Sequence, residues 1–183
     1  MKMRFAMLGL VMAAGAAQAE LVVNGGFEAG TTWPPTGWTS VNQGSFSGLN
    51  GGGGSAHTGT NWVYMGATSA ATQTDFYQDI PTTIGAQYTA SFWAYDVDPA
   101  SSGFIHVTFG GVDIGPASGT VPHTYTQYSL VFTATAATTR LEATGWEASQ
   151  YVISDDYSVV PVPAPGSLAL LGLGGLFAGR RRR

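Results

Sequence analysis

Between Glu20 and Val160, apolar residues recur at every second position in short runs broken by Gly and Pro. Tyr88, Ala90, Phe92 and Ala94 share one parity, with Thr89, Ser91, Trp93 and Tyr95 on the other. A period of two is that of a strand with one buried face. Ile105, Val107 and Phe109 repeat it. So do Tyr128, Leu130, Phe132 and Ala134, and then Tyr151, Ile153, Asp155, Tyr157 and Val159. Trp62 to Met65 and Phe76 to Ile80 are strands with less decisive faces. Turn formers separate the runs, at Pro81 to Gly85, Asp98-Pro99, Gly110-Gly111, Gly115-Pro116, Gly119 and Pro122. Helical periodicity is hard to find. Evenly spaced short strands with such turns predict an antiparallel β-sandwich over residues 20–160. A chain of ~140 residues can bury about two-thirds of its unfolded surface without staples.

The stretch Gly44 to Ser55, with four consecutive glycines at Gly51 to Gly54, reads as a surface loop. A phosphate-binding loop would need Gly-Lys-Ser/Thr, and the body holds no lysine. Cysteine is absent, which excludes disulfides, thiol catalysis and Cys-ligated metals.

Charge is scarce, at 10% of residues, and unevenly placed. Lys2 and Arg4 precede the body and Arg180 to Arg183 follow it. All eleven acids lie between, against the single base Arg140, so the body is strongly acidic. Phosphate neutralisation needs clustered Lys and Arg, so nucleic acid is not an expected partner.

The two ends read as addresses. Residues 1–19 have the form of a secretory signal peptide: a positive start, an apolar run from Phe5 to Ala17, and a small-x-small cleavage site at Ala17-Gln18-Ala19. Glu20 would then begin the mature chain. At the other end, Val162-Pro163-Ala164-Pro165 leads into an apolar Leu/Gly segment, 168–178, and then Arg180 to Arg183. That segment is short of the ~20 residues needed to span a bilayer, and the arginines would hold its end in the cytoplasm. This tripartite order over residues 161–183 resembles the PEP-CTERM sorting signal of Gram-negative bacteria, with Ala164 where that family usually has Glu. The resemblance implies processing near Pro163 and Pro165 by an exosortase-type enzyme, removal of the tail with Arg180, only transient membrane contact, and display at the cell surface or in the extracellular matrix.

Three segments of the body carry a second resemblance. Asn24-Gly25-Gly26-Phe27-Glu28 opens it, Gly85 to Trp93 includes Gly-x-x-Tyr-x-x-Ser-Phe, and Asp155-Asp156-Tyr157-Ser158-Val159 closes it. In this order they resemble the galactose-binding-like jelly rolls, including carbohydrate-binding modules. The expected fold is thus an all-β jelly-roll sandwich, flanked by a signal helix and a short C-terminal apolar helix.

Two kinds of site follow. In a jelly roll the first and last strands can be neighbours, so Glu28 and Asp155 or Asp156 could meet. Similar modules often hold a structural calcium there, with oxygens near Asn24. Paired carboxylates repel without a cation, and calcium takes six to eight oxygens. The second site is a sugar platform. Sugars lay their apolar faces on flat aromatics, with a few polar groups bonding the hydroxyls. Trp93 and Tyr95 share a strand face; Trp62, Tyr64 and Trp146 are further candidates, with Gln78, Asp96, Asp98 or Glu142 as polar partners. Trp33 and Trp38, beside the opening motif, read as core.

Catalysis has little support. His57, His106 and His123 lack metal-ligand spacing, and no Gly-x-Ser-x-Gly elbow occurs. Among eleven acids some pair will always qualify as a glycosidase pair, so that pattern decides nothing. The reading is an exported, non-catalytic polysaccharide-binding module. The alternative is a structural surface protein with no small ligand, and buried aromatics would favour it.

Overall fold

A computed structural model describes residues 18–163, except 53, 99–102, 116–120 and 149. Residues 19–162 form one compact unit. The expected signal helix and C-terminal apolar helix lie outside the described residues, as do Ala17, Pro165 and Arg180.

Ten strands make two antiparallel five-stranded sheets. The first sheet runs β1 (Thr39–Asn42), β4 (Thr74–Pro81), β9 (Thr138–Trp146), β6 (Phe104–Phe109), β7 (Val112–Gly115). The second runs β2 (Gly48–Gly51), β3 (Asn61–Met65), β10 (Val152–Pro161), β5 (Gln87–Asp96), β8 (Thr126–Thr133). Their inner faces pack together as a jelly-roll sandwich.

The expected alternations hold in β5, β6 and β8. Tyr88, Ala90, Phe92 and Ala94 are in the core, as are Ile105, Val107 and Phe109, with Tyr128, Leu130 and Phe132 packed against it. The alternation expected for the last strand fails. Val152 and Tyr157 are core residues, while Ile153 pairs with Tyr95 and Tyr64 on the outward side. A bulge between Asp155 and Ser158, with Asp156 at φ 49°, inserts one residue and resets the parity. Asp155 and Tyr157 therefore face opposite sides. The glycine-rich stretch also differs from expectation, because Gly48 to Gly51 pair with β3 as an edge strand.

The opening motif anchors the chain's start against its last strand. Phe27, at φ 59°, is fully buried beside Trp38 at 5.7 Å, Phe76 at 6.3 Å and Tyr157 at 5.6 Å. Trp33 packs edge-on to Phe76 at 5.5 Å, so both early tryptophans are structural. Burying each such ring contributes ~1.5–3 kcal/mol. Gly25 accepts Tyr157 N–H at 3.0 Å, and a Cβ there would sit 1.9 Å from the Tyr157 carbonyl oxygen. Only glycine permits that approach.

Candidate functional site

The sandwich presents two outward faces, and they differ in what lies on them.

On the second sheet, the outward side gathers Trp62 and Tyr64 from β3 with Trp93 and Tyr95 from β5. Residues 55–61 return across this face. His57 stacks on Trp93 with ring centroids 3.9 Å apart and planes 18° from parallel, and Tyr125 meets His57 edge-on at 4.9 Å. Tyr125 donates its hydroxyl to the Ser55 carbonyl at 2.6 Å, and its ring lies 5.5 Å from Tyr95. Trp62 is only 5% exposed. Trp62 is thus buried, and the chain's own His57 stacks on Trp93, while Trp93, Tyr95 and Tyr64 stay partly exposed.

The acids expected to hold calcium hold this same segment. Glu28 Oε1 accepts the amides of Thr60 at 2.7 Å and Asn61 at 2.8 Å, and its Oε2 accepts the Thr60 hydroxyl at 2.8 Å. The bond from the Asn61 amide, chiefly, draws its pKa below the ordinary value. Asp155 Oδ2 accepts the amides of His57 at 2.9 Å and Thr58 at 3.4 Å, and its Oδ1 accepts Asp156 N–H at 2.8 Å. Asp155 is fully buried, and burial pushes its carboxyl up to about 7. Asp156 bonds His57 Nδ1 at 2.7 Å and accepts the Thr58 hydroxyl at 2.7 Å. Asn24 is spent on its own turn: its amide bonds Ala29 and Thr36, and its carbonyl accepts Trp38 Nε1–H at 3.2 Å. Among the described residues, no three His, Asp or Glu side chains converge on a common point. The four residues do not fit a calcium cage as arranged; an ion there would have to displace the donors just named.

The outward face of the first sheet is not covered in this way by residues 55–61. Register sets its rows. Trp146 on β9 pairs with Phe104 on β6; Asp75, Thr144 and His106 form the next row; Tyr77, Glu142 and Thr108 the next; Asp79 and Arg140 the last. Trp146, Phe104, Tyr77, Asp75, Glu142 and His106 are all partly exposed. Trp146 and Phe104 stand edge to face at 6.3 Å. Arg140 forks onto Asp79, with bonds of 2.9 and 3.2 Å, and its guanidinium lies 3.6 Å from the Tyr77 ring centroid. His106 Nε2 meets Asp113 Oδ1 at 2.5 Å.

Asp75 and Glu142 are diagonal neighbours at the centre of this face. Burial, then the Glu142 carboxylate, raises the Asp75 pKa. Asp75 Oδ1 is closed to water and receives no hydrogen bond from a donor. The positive charge of Arg140 acts on Asp75 in the opposite direction.

Of the residues named from sequence, this face collects Trp146 and Glu142. Gln78 points inward, where it accepts Val23 N–H at 2.8 Å and donates to Val23 and Gly37 carbonyls at 3.0 and 2.8 Å. Asp96 is buried, its Oδ1 accepting Asp98 N–H at 3.0 Å. Asp75, Phe104 and His106 were not named as ligand partners. Their signal was parity, since each alternates with core residues on a strand that crosses Glu142 or Trp146.

Residues 161–183 match the PEP-CTERM protein-sorting motif. No curated protein matches the sequence. Several solved structures share the fold. A family 61 carbohydrate-binding module, TmCBM61, in complex with β-1,4-galactotriose is 16% identical, with TM-score 0.57, over 79% of this chain and 99% of that one. The CBM22-1 xylan-binding domain of Paenibacillus barcinonensis Xyn10C is 15% identical, with TM-score 0.55, over 82% and 99%. The N-terminal cellulose-binding domain of Cellulomonas fimi β-1,4-glucanase C is 18% identical, with TM-score 0.52, over 80% and 99%. The enzymatically active domain of bacteriophage CBA120 tailspike protein 4 is 15% identical, with TM-score 0.56, but this chain spans only 21% of it. The chain therefore ends in a PEP-CTERM sorting motif, and its body has the jelly-roll fold that carbohydrate-binding modules share.

Proposed function

We propose that this protein is an exported, non-catalytic carbohydrate-binding module, released to the cell surface or its matrix after exosortase-type processing, and that the outward face of the β1-β4-β9-β6-β7 sheet is its glycan platform. The observation that carries the reading is the contrast between the two faces. One aromatic face is partly occupied by the protein's own residues 55–61, with His57 stacked on Trp93 and Trp62 buried. The other leaves Trp146 and Phe104 partly exposed beside polar Asp75, Glu142, Thr144 and His106, which is the composition of a sugar site: flat apolar surface with a few hydrogen-bonding groups.

The test is calorimetric titration of the purified protein with a panel of β-linked oligosaccharides. Trp146→Ala should weaken binding about tenfold or more, the loss of one stacking contact worth ~1.4 kcal/mol. Trp93→Ala should leave affinity unchanged. The opposite pattern would move the platform to the other sheet, and absence of binding across the panel would end the glycan reading.

A further inference from the structure

The two sheets have four outer edges, and three of them are blunted against further pairing. β1 and β7 are four residues long, each sheet has a break in register at that edge or beside it, and β7 carries Asp113. β2 is also four residues long, two of them glycine. Short strands, bulges and charges are the usual guards of an open edge. β8 has none of these. Its eight residues, Thr126 to Thr133, contain no charge, proline or glycine, and they pair with β5 without a register shift. Among the described residues no strand pairs with its other side. The ladder fixes which way its backbone points. Ala134 N–H bonds the Ala86 carbonyl, while the Gln87 carbonyl turns the other way, to Val162 N–H. Even-numbered residues of β8 therefore bond β5, and Gln127, Ser129, Val131 and Thr133 aim their N–H and C=O groups at the open edge. Such a row of backbone groups is a template for another strand.

We propose that β8 pairs antiparallel with β8 of a second copy of this chain, joining two five-stranded sheets into one continuous sheet. Charge favours a copy at this edge. The body is strongly acidic, so copies repel each other across most of their surface. β8 is neutral, and β5 beside it has no charge before Asp96. The side chains are self-complementary about a twofold axis through Leu130. On the inner row Leu130 meets its own counterpart, and Tyr128 meets Phe132 of the second copy. All three are only partly covered in the single chain. They stand at the positions of the new ladder that are not hydrogen-bonded, where cross-strand side chains approach closest. On the outer row Ser129 faces Val131, which is 59% exposed, and Gln127 faces Thr133. No like charges are brought opposite each other. A second copy covers apolar surface that the edge leaves open and pairs its free backbone groups. This contact is independent of the glycan platform, which lies on the other sheet.

The experiment is sedimentation of the purified full chain from about 1 µM to 1 mM, with hydrogen exchange on the same samples. Wild type should dimerise reversibly, with a dissociation constant on the order of 10 µM, as suits a small interface. The amides of Ser129 and Val131 should gain protection as concentration rises, whereas the Leu130 amide, already bonded to β5, should not change. Val131→Pro removes an N–H that faces the open edge and leaves the β5 ladder whole. It should weaken dimerisation by about tenfold or more, with an unchanged far-UV circular dichroism spectrum. Val131→Thr, which keeps the N–H and the branched side chain, should dimerise like wild type. If Val131→Pro does not fold, Ser129→Glu decides instead, since it adds like charge to the edge without touching the backbone. Weakened dimerisation then supports the contact, and wild-type affinity overturns it. A wild-type chain that stays monomeric throughout the range overturns the proposal. So does association that a folded Val131→Pro leaves unweakened, which would lie elsewhere on the molecule.

Discussion

Asp155 and Asp156 are consecutive in the chain, yet one is sealed beneath residues 55–58 and the other reaches the His57 ring at their edge. The sealed one leaves a thermodynamic signature. Burial holds the Asp155 carboxyl up to about 7, above the ~3.9 of an unfolded chain. Between those values the native state binds more protons than the unfolded state, so this group's contribution to stability falls as pH rises from about 4 to 7 and is level on either side. Asp155→Asn removes the titration. Thermal melts of wild type and variant across that range should show the variant gaining on wild type as pH rises, with the gap constant above about pH 7. Asp75 is shifted in the same direction by burial and Glu142, which is why the difference between the two proteins, rather than the wild-type slope, is the measurement. A gap that does not change with pH would show that Asp155 is not buried as described. The alternation read from sequence puts Asp155 on one face with Ile153, Tyr157 and Val159. Its burial comes from a loop laid over an outward face, not from an inward-pointing strand position.

At the scale of elements, the clearest departures from the sequence pattern are strands with little hydrophobic signal of their own. β9 turns Thr139, Leu141, Ala143 and Gly145 inward, so Leu141 is the one large apolar side chain on its buried face, and no run of large apolar residues marks it. β2 has Leu49 as its one large side chain and is a strand because β3 supplies its ladder. Tertiary pairing overrides weak local preference in both. The segment 55–61 depends on side chains rather than on a ladder. Glu28 holds its far end through Thr60 and Asn61, and Asp155 and Asp156 hold its middle. Glu28→Gln exchanges a charged acceptor for an amide whose nitrogen can only donate. Hydrogen exchange at the Thr60 and Asn61 amides should quicken by roughly tenfold, while Phe92 and Ala94 in β5 keep wild-type rates, because local openings need not involve the core. Unchanged exchange at Thr60 would mean the segment is held without Glu28.

For the whole molecule, the sorting motif and the platform make separate demands. Mass spectrometry of protein recovered from the cell surface should find Glu20 at the N-terminus and the arginines 180–183 missing; a surface form that keeps Arg183 would contradict processing. The end signals were legible because they depend on order along the chain: charge, apolar run, small residues at one end, and proline motif, apolar run, arginines at the other. The sandwich was legible because alternation is a local property that each strand reports by itself. The opening motif was legible in part, as Phe27 and Trp38 proved to be core, but not the reason for its Gly25, which is the backbone of a strand more than a hundred residues later. What no local pattern could decide was which outward face the segment 55–61 lies on. Both sheets alternate aromatic and polar residues on their outer sides, and Trp93 looks no less suited to a sugar than Trp146. The choice is made by contacts such as His57 N–H to Asp155 Oδ2, between residues 98 apart in sequence, which fold one segment onto one face. Parity tells a residue which side of its strand it occupies; only the closed sandwich, with its loops in place, determines what else reaches that side first.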